Sequence, residues 1–329
     1  MAGDRGPAVD SVTDPEEVPT ISYAVLFPGQ GSQTVGMGAE LFEARPDLLG
    51  DAADAVLGWS LREVCLDGPQ ERLTRTEHAQ PALYAVSYAL WQELSARLES
   101  APGAAAGHSL GEYTALAAAG SLTFADGLGL VAARGRAMAE AADMDDGGMA
   151  ALVGTDLEVA ERVCAARRDA GGRLWVANVN APGQVVVAGA AGDIEWLVAN
   201  ARDHGVRRAI PLDVAGAFHS PLMAPAAEEL GEALERVTFG PPRFEVWANA
   251  TAAPHGDDVA GTLAAQLTGT VRFAESLQSM ATSGIERFVH VGPGDVTAGL
   301  ARKSVEGTEP VVVSSLEDID GAVEMLSAG

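Results

Sequence analysis

The sequence predicts an α/β protein with parallel core strands, interrupted by a smaller strand-and-helix unit. Three observations carry this reading. Short apolar runs such as "ISYAVLF" (Ile21 to Phe27) stop abruptly at glycine-rich loops, as buried strands do. Gly and Ala are abundant while aromatic residues make up only 5% of the chain, which suits helices packed closely on a sheet. Between residues 147 and 213 the pattern changes to β-α-β-β-α-β.

Taken in order, residues 1–20 read as a flexible acidic tail without the apolar core of a secretory signal. The strand at Ile21 to Phe27 empties into Pro28-Gly29-Gln30-Gly31-Ser32. Helical patterns follow from Leu48 to Leu66 and from Gln80 to Leu98, with Pro81 near a first turn. "GAAAGHSL" is a short small-residue strand ending at His108-Ser109, and "GEYTALAAAG" a helix stopped by Gly120. Thr123, with Asp126 three residues on, opens the next helix, which breaks at Asp143 to Gly148.

The inserted unit then runs as strand "MAALVG", helix Asp156 to Ala170, strands "LWVANV" and "QVVVAG", helix Ile194 to His204 and strand "RRAIPLD". That is the split arrangement of ferredoxin-like domains. Residues 147–213 are therefore assigned to a small subdomain, and 21–146 with 214–329 to the large domain. The large domain resumes at "VAGAFHSPLM", and the apolar runs "IERFVHVGP" and "EPVVVSSL" supply further parallel strands.

A formal charge of -25 argues against broad nucleic-acid or anionic-membrane binding. No run approaches the ~18 apolar residues of a bilayer span. The two cysteines, Cys65 and Cys164, lie far apart with no metal-ligand spacing, so no metal site is expected and a reducing cytoplasm fits.

The chemistry centres on Gly107-His108-Ser109-Leu110-Gly111, a G-x-S-x-G elbow between a strand and a helix. Ser109 is either a nucleophile at the helix N-terminus or that helix's N-cap. The Leu110 N-H is the obvious oxyanion donor, and Gln30, between two glycines, offers further donors. Of six histidines, His204 and His255 read as surface or turn residues, His290 as core, His108 as turned away from Ser109, and His78 as a loop residue. His219, in "VAGAFHSPLM", ends a strand at the junction where the small subdomain returns the chain, which makes it the best base on position. Arg134 shares an apolar helix face with Leu130, Val131 and Met138, so it meets either a buried carboxylate of the protein or a ligand carboxylate.

Together "LFPGQGSQTVGMG", "QPALYAVSYALW", "GHSLGEYTALAAAG", "ARGRAM", "NVNAPGQVVVAG", "AGAFHSPLM", "AAQLTGTVRF" and "VGPGDVTAGL" resemble the malonyl-CoA:acyl carrier protein transacylase family, which includes polyketide synthase acyltransferases. The resemblance implies an α/β-hydrolase-like core with the ferredoxin-like insertion. It also implies Ser109 as the acylated nucleophile and His219 as its base, oriented by a main-chain carbonyl near Gln266. Gln30 and Leu110 would form the oxyanion hole, and Arg134 would hold a malonyl carboxylate. Phe218 resembles the pattern of malonyl-selective members, where a ring crowds a 2-alkyl branch. The sequence departs from the family at Thr268 to Val271, where a proline usually precedes the valine.

The function expected on this basis is transfer of malonyl from coenzyme A to an acyl carrier protein by a monomer needing no metal or redox cofactor. Arg202, Arg207, Arg208, Arg302 and Lys303 are the basic residues available to an acidic carrier. A discrete polyketide acyltransferase for another acyl group, a serine esterase or thioesterase, and a non-catalytic binding module remain the alternatives.

Overall fold

A computed structural model describes residues 22–327. The acidic tail assigned to residues 1–20 lies outside the described residues.

The chain builds two sheets. The larger contains β1 (Tyr23–Phe27), β2 (Ala104–Gly107), β7 (Glu245–Ala248), β8 (Ala253–Pro254), β9 (Arg287–Val291) and β10 (Val311–Val313), in the order β10-β9-β1-β2-β7-β8. All neighbours are parallel except β7 and β8. A parallel sheet must be covered on both faces, and the residues of β1 divide accordingly. Tyr23, Val25 and Phe27 enter one apolar cluster, while Ala24 and Leu26 enter the other, as the two-residue period of a strand requires.

Helices α1 (Thr76–Ser95), α2 (Gly111–Ala118), α3 (Phe124–Met144) and α6 (Ala224–Leu234) cover the first face. On the second lie α8 (Phe273–Thr282) and α9 (Val296–Ser304), which contribute Phe273, Leu277 and Leu300. Among the described residues no helix is long and apolar enough to cross a membrane.

The smaller sheet is antiparallel, with β3 (Gly147–Val153), β4 (Leu174–Ala181), β5 (Gln184–Ala190) and β6 (Arg208–Pro211) in the order β4-β5-β3-β6. Helices α4 (Leu157–Asp169) and α5 (Ala191–Asn200) pack on one face through Val163 and Leu197 against Leu152, Leu174 and Val187. This is the strand order of a ferredoxin-like unit. Its outer strand β4 is tied to the larger unit beside α7 (Val259–Thr268): Val271 donates to the Ala177 carbonyl at 2.8 Å and accepts from the Val179 N-H at 2.8 Å. Thr270 adds a hydroxyl bond to the Val176 carbonyl, 2.8 Å. The Thr268 to Val271 segment is thus held by bonds to the β4 backbone.

Three local expectations are corrected. The stretch from Leu48 to Leu66 is broken into short helical pieces and a wide turn at Glu63–Asp67, interrupted at Gly50 and at Gly58, whose φ is 77°. Helix α1 begins at Thr76, a turn earlier than Pro81 suggests, with Glu77 in its first turn to complement the helix dipole; His78 is therefore helical. Val214 to His219 pairs with no strand among the described residues, β6 having ended at Pro211, so His219 sits in an irregular turn.

Strand β2 and helix α2 meet at two glycines. A Cβ on Gly107 would lie 1.8 Å from the Gly111 carbonyl carbon, and one on Gly111 2.5 Å from the Phe27 carbonyl oxygen. Both obstacles are backbone. Gly107→Ala is accordingly expected to cost about 3 kcal/mol of stability or more, and an unchanged urea midpoint would contradict this packing.

Candidate active site

The loops after β1 and β2 leave adjacent carboxyl ends of a parallel sheet, where open α/β sheets place their ligands. The tight turn after Gly107 holds Ser109 at φ 52°, and His219 stands at φ 58°. Such left-handed conformations cost a β-carbon-bearing residue roughly 1 kcal/mol or more. Among the described residues only Ala252 joins these two as a non-glycine with positive φ.

The two strained residues meet. Ser109 Oγ lies 2.7 Å from His219 Nε2, and His219 Nδ1 lies 2.9 Å from the Gln266 main-chain oxygen. A carbonyl only accepts, so Nδ1 carries the proton and Nε2 is left to accept from the serine hydroxyl. Burial, followed by the nearby Arg134 cation, pushes the His219 pKa down to about 3, which keeps the ring neutral.

Arg134 is 1% exposed, yet no carboxylate pairs with it among the described residues. One terminal nitrogen donates to Gln80 Oε1 at 2.6 Å, and the other to Ser109 Oγ and Gln266 Oε1, both at 3.0 Å. Its Nε is buried without a partner among the described residues. Desolvation pulls the guanidinium below its usual pKa range, and Glu112, which forms no direct ion pair with it, offsets that only in part.

The elements enclose a cavity of about 320 Å³. Ser109, Leu110, Arg134, Phe218, His219 and Gln30 line it from the larger unit, while Met149, Asn178, Asn180 and Val186 line it from the smaller sheet. Phe218 is buried at this wall.

Gln30 contributes differently from expectation. Its side-chain oxygen accepts from the Thr76 hydroxyl at 3.0 Å and its amide nitrogen approaches the Thr74 carbonyl at 3.5 Å, so the side chain is already engaged. What stays unbonded among the described residues is the main-chain N-H of Gln30, together with that of Leu110.

Other histidines divide as follows. His108 turns to Asn180 Oδ1, 2.7 Å away, and packs on Phe273, although it lines the same cavity as Ser109. His290 is buried on β9 and bonded across the following turn to Thr297 at the start of α9 and to the Gly292 carbonyl. His78 and His204 lie against Trp59 and Trp196. His255, expected in a polar turn, has a side chain only 4% exposed: the β7–β8 hairpin folds it inward.

Sequence reading missed three supports. Gln80 bridges Arg134 to Thr76, with its amide 2.8 Å from the Thr76 hydroxyl, and so connects the guanidinium to the Gln30 loop. Asn249 Oδ1 accepts the Ser109 N-H at 2.7 Å. The Gln266 side chain, besides its main-chain carbonyl, reaches the Ser109 carbonyl at 3.1 Å. An amide in an otherwise apolar helical face was a signal for Gln80; the other two contacts span more than a hundred residues.

A histidine held neutral down to about pH 3 makes the native state bind fewer protons than the unfolded chain, whose histidines titrate near 6.5. Stability is therefore lost as pH falls below 6.5, at up to ~1.4 kcal/mol per unit. His219→Gln removes this contribution. Relative to the unmodified protein, the variant is expected to gain about 2 kcal/mol between pH 7 and pH 5 in urea unfolding; parallel pH profiles would contradict the assignment.

Comparison with known proteins places the chain as a whole. Residues 25–317 match the acyl transferase domain family. The malonyl CoA-acyl carrier protein transacylase of Bacillus subtilis is 41% identical over 309 residues, covering 92% of this chain and 96% of that protein. The structure of the corresponding transacylase from Coxiella burnetii superposes with a TM-score of 0.89 at 33% identity, covering 94% of this chain and 99% of that one. A malonyl-transacylase solved in complex with its type II polyketide synthase acyl-carrier protein gives a TM-score of 0.87 at 35% identity, over 92% and 99% of the two chains. A profile spanning nearly the whole sequence, and relatives matched from end to end, make this chain a member of the malonyl-CoA:acyl carrier protein transacylase family.

Proposed function

We propose that the protein transfers malonyl from coenzyme A to the phosphopantetheine thiol of an acyl carrier protein through an ester on Ser109. The observation that carries this reading is the buried Arg134 guanidinium, 3.0 Å from Ser109 Oγ and free of any carboxylate among the described residues. A malonyl group brings both an electrophilic carbonyl for the serine and a carboxylate for the arginine, which binds such anions bidentately.

In the first half-reaction His219 Nε2 takes the Ser109 proton as Oγ attacks the thioester carbonyl. The main-chain N-H groups of Leu110 and Gln30 receive the oxyanion. As the tetrahedral intermediate collapses the C–S bond breaks, and the coenzyme A sulfur leaves with the proton held on His219. In the second half-reaction the carrier thiol gives its proton to His219 and attacks the ester, and Ser109 leaves reprotonated. Every proton and electron pair is carried by the serine, the histidine and the two thiols, so the exchange we propose is ping-pong and calls on no cofactor.

Phe218 at the cavity wall supports a preference for unbranched malonyl, because a 2-alkyl branch would have to displace the ring. For the carrier, Arg202, Arg207 and Arg208 line one hollow of the small sheet unit. Lys303 on α9 reaches Gln184 Oε1 at 3.2 Å, beside the Gly154 turn against which Arg207 packs. None of these four forms an ion pair among the described residues, whereas Arg302 pairs with Glu309. They supply a local basic face on a chain of net charge -25, and an acidic carrier fits there. Cys65 and Cys164 are both free and buried, which supports a reducing, cytoplasmic setting.

Incubation with malonyl-CoA is expected to add one malonyl group to the intact protein and none to Ser109→Ala; absence of the adduct on the unmodified protein would sink the transferase reading. Arg134→Ala should lower kcat/KM for malonyl-CoA by about 100-fold or more, with a far smaller loss in cleavage of a neutral aryl ester. Equal losses would favour an esterase. Arg207→Glu combined with Lys303→Glu should raise KM for the carrier protein and leave loading from malonyl-CoA unchanged.

A further inference from the structure

One buried acid plays no part in the chemistry described above. Glu112, in the first turn of α2 immediately behind the nucleophile, is fully buried. Its Oε2 accepts from the Gln266 side-chain amide at 2.7 Å and from the Asn249 main-chain N-H at 2.9 Å. Its Oε1 lies 2.8 Å from His255 Nε2. That approach is short but off the line of a directed hydrogen bond, since neither atom meets bonding geometry, so the two side chains are in close contact without a hydrogen bond.

Each partner of this carboxylate goes on to touch the reacting residues. Asn249 accepts the Ser109 N-H with Oδ1 and donates from Nδ2 to the Gly107 carbonyl at 2.8 Å, clamping both sides of the strained serine. Gln266 presents its main-chain oxygen to His219 and its side-chain oxygen to Arg134. The nucleophile's turn, the orienting carbonyl of the base and the guanidinium therefore share one anchor.

We propose that Glu112, paired with His255, is a positioning residue that fixes Asn249 and Gln266 and through them sets the Ser109–His219 geometry. It touches neither Ser109 Oγ nor His219 and reaches them through those amides, while its charge also favours the Arg134 cation. His255 lies on the far side of the carboxylate and lines a separate cavity of about 330 Å³ that shares no residue with the substrate cavity. Substitution there alters the anchor without altering the substrate wall.

The proposal rests on Ser109 being the nucleophile of the transferase reading, so its test uses a second readout. Glu112→Gln, His255→Gln and the double variant are assayed for kcat and KM in malonyl transfer, for melting temperature, and for the rate at which a fluorophosphonate labels Ser109, followed by intact mass. Each single substitution is expected to lower kcat and the labelling rate about tenfold with KM within about twofold, because small misplacements of a nucleophile and its base are costly. The double variant should be no worse than Glu112→Gln alone, since His255 acts through the carboxylate.

Wild-type labelling rates in folded single variants, a loss confined to melting temperature, or multiplicative losses in the double variant would each overturn the proposal. If Glu112→Gln does not fold, the rates of His255→Gln decide alone. An unmodified protein that is labelled by the fluorophosphonate yet takes no malonyl would end the transferase reading and leave this one to be judged on labelling.

Discussion

The approach of β2 to α2 is the constraint on which the site depends. With hydrogens instead of side chains at Gly107 and Gly111, the chain reverses so sharply that Ser109 is driven to positive φ. Its hydroxyl then stands clear at a helix start with the Leu110 N-H unbonded among the described residues. Every other component is arranged around that point. The α3 helix delivers Arg134, the irregular turn after β6 delivers His219, and α7 delivers the carbonyl that chooses the histidine tautomer.

Electrostatics follow a consistent plan. The molecule is strongly acidic overall, yet the floor of its cavity carries a cation with an unused donor. Surface anions are screened by water over about 10 Å at moderate salt, whereas the buried guanidinium beside Ser109 is not. Leaving that cation without a protein carboxylate sacrifices stability at this position. It also keeps His219 neutral, because the same cation opposes protonation of the ring.

Much of this was legible in the sequence, for identifiable reasons. The β1 strand, the elbow and the split order of the small unit are local patterns, and local patterns survive as linear text. Ser109, Arg134 and Leu110 were visible because their neighbours constrain them: flanking glycines in one case, an apolar helix face in another. His255 was not, because "APHGDD" has the composition of a surface turn, and only the antiparallel pairing of Ala253–Pro254 with β7 turns the ring inward. Its partner Glu112 is 143 positions away, a separation no spacing rule spans. The side chain of Gln30 was misjudged for a related reason, since Thr74 and Thr76 occupy it from a helix start whose position the proline obscured.

The bonds from Thr270 and Val271 to β4 have a consequence of another kind. A sheet of four strands has two open edges, and an open edge is a template for pairing with other chains. One edge here, β6, carries Arg208 and closes with Pro211, which offers no amide hydrogen. The other, β4, is capped by Val271. The residues just after Gln266 therefore serve as edge protection as well as support for the histidine. Loosening that segment would release the His219 ring and bare a strand in the same event, so the proposed activity and resistance to aggregation rise and fall together at this seam.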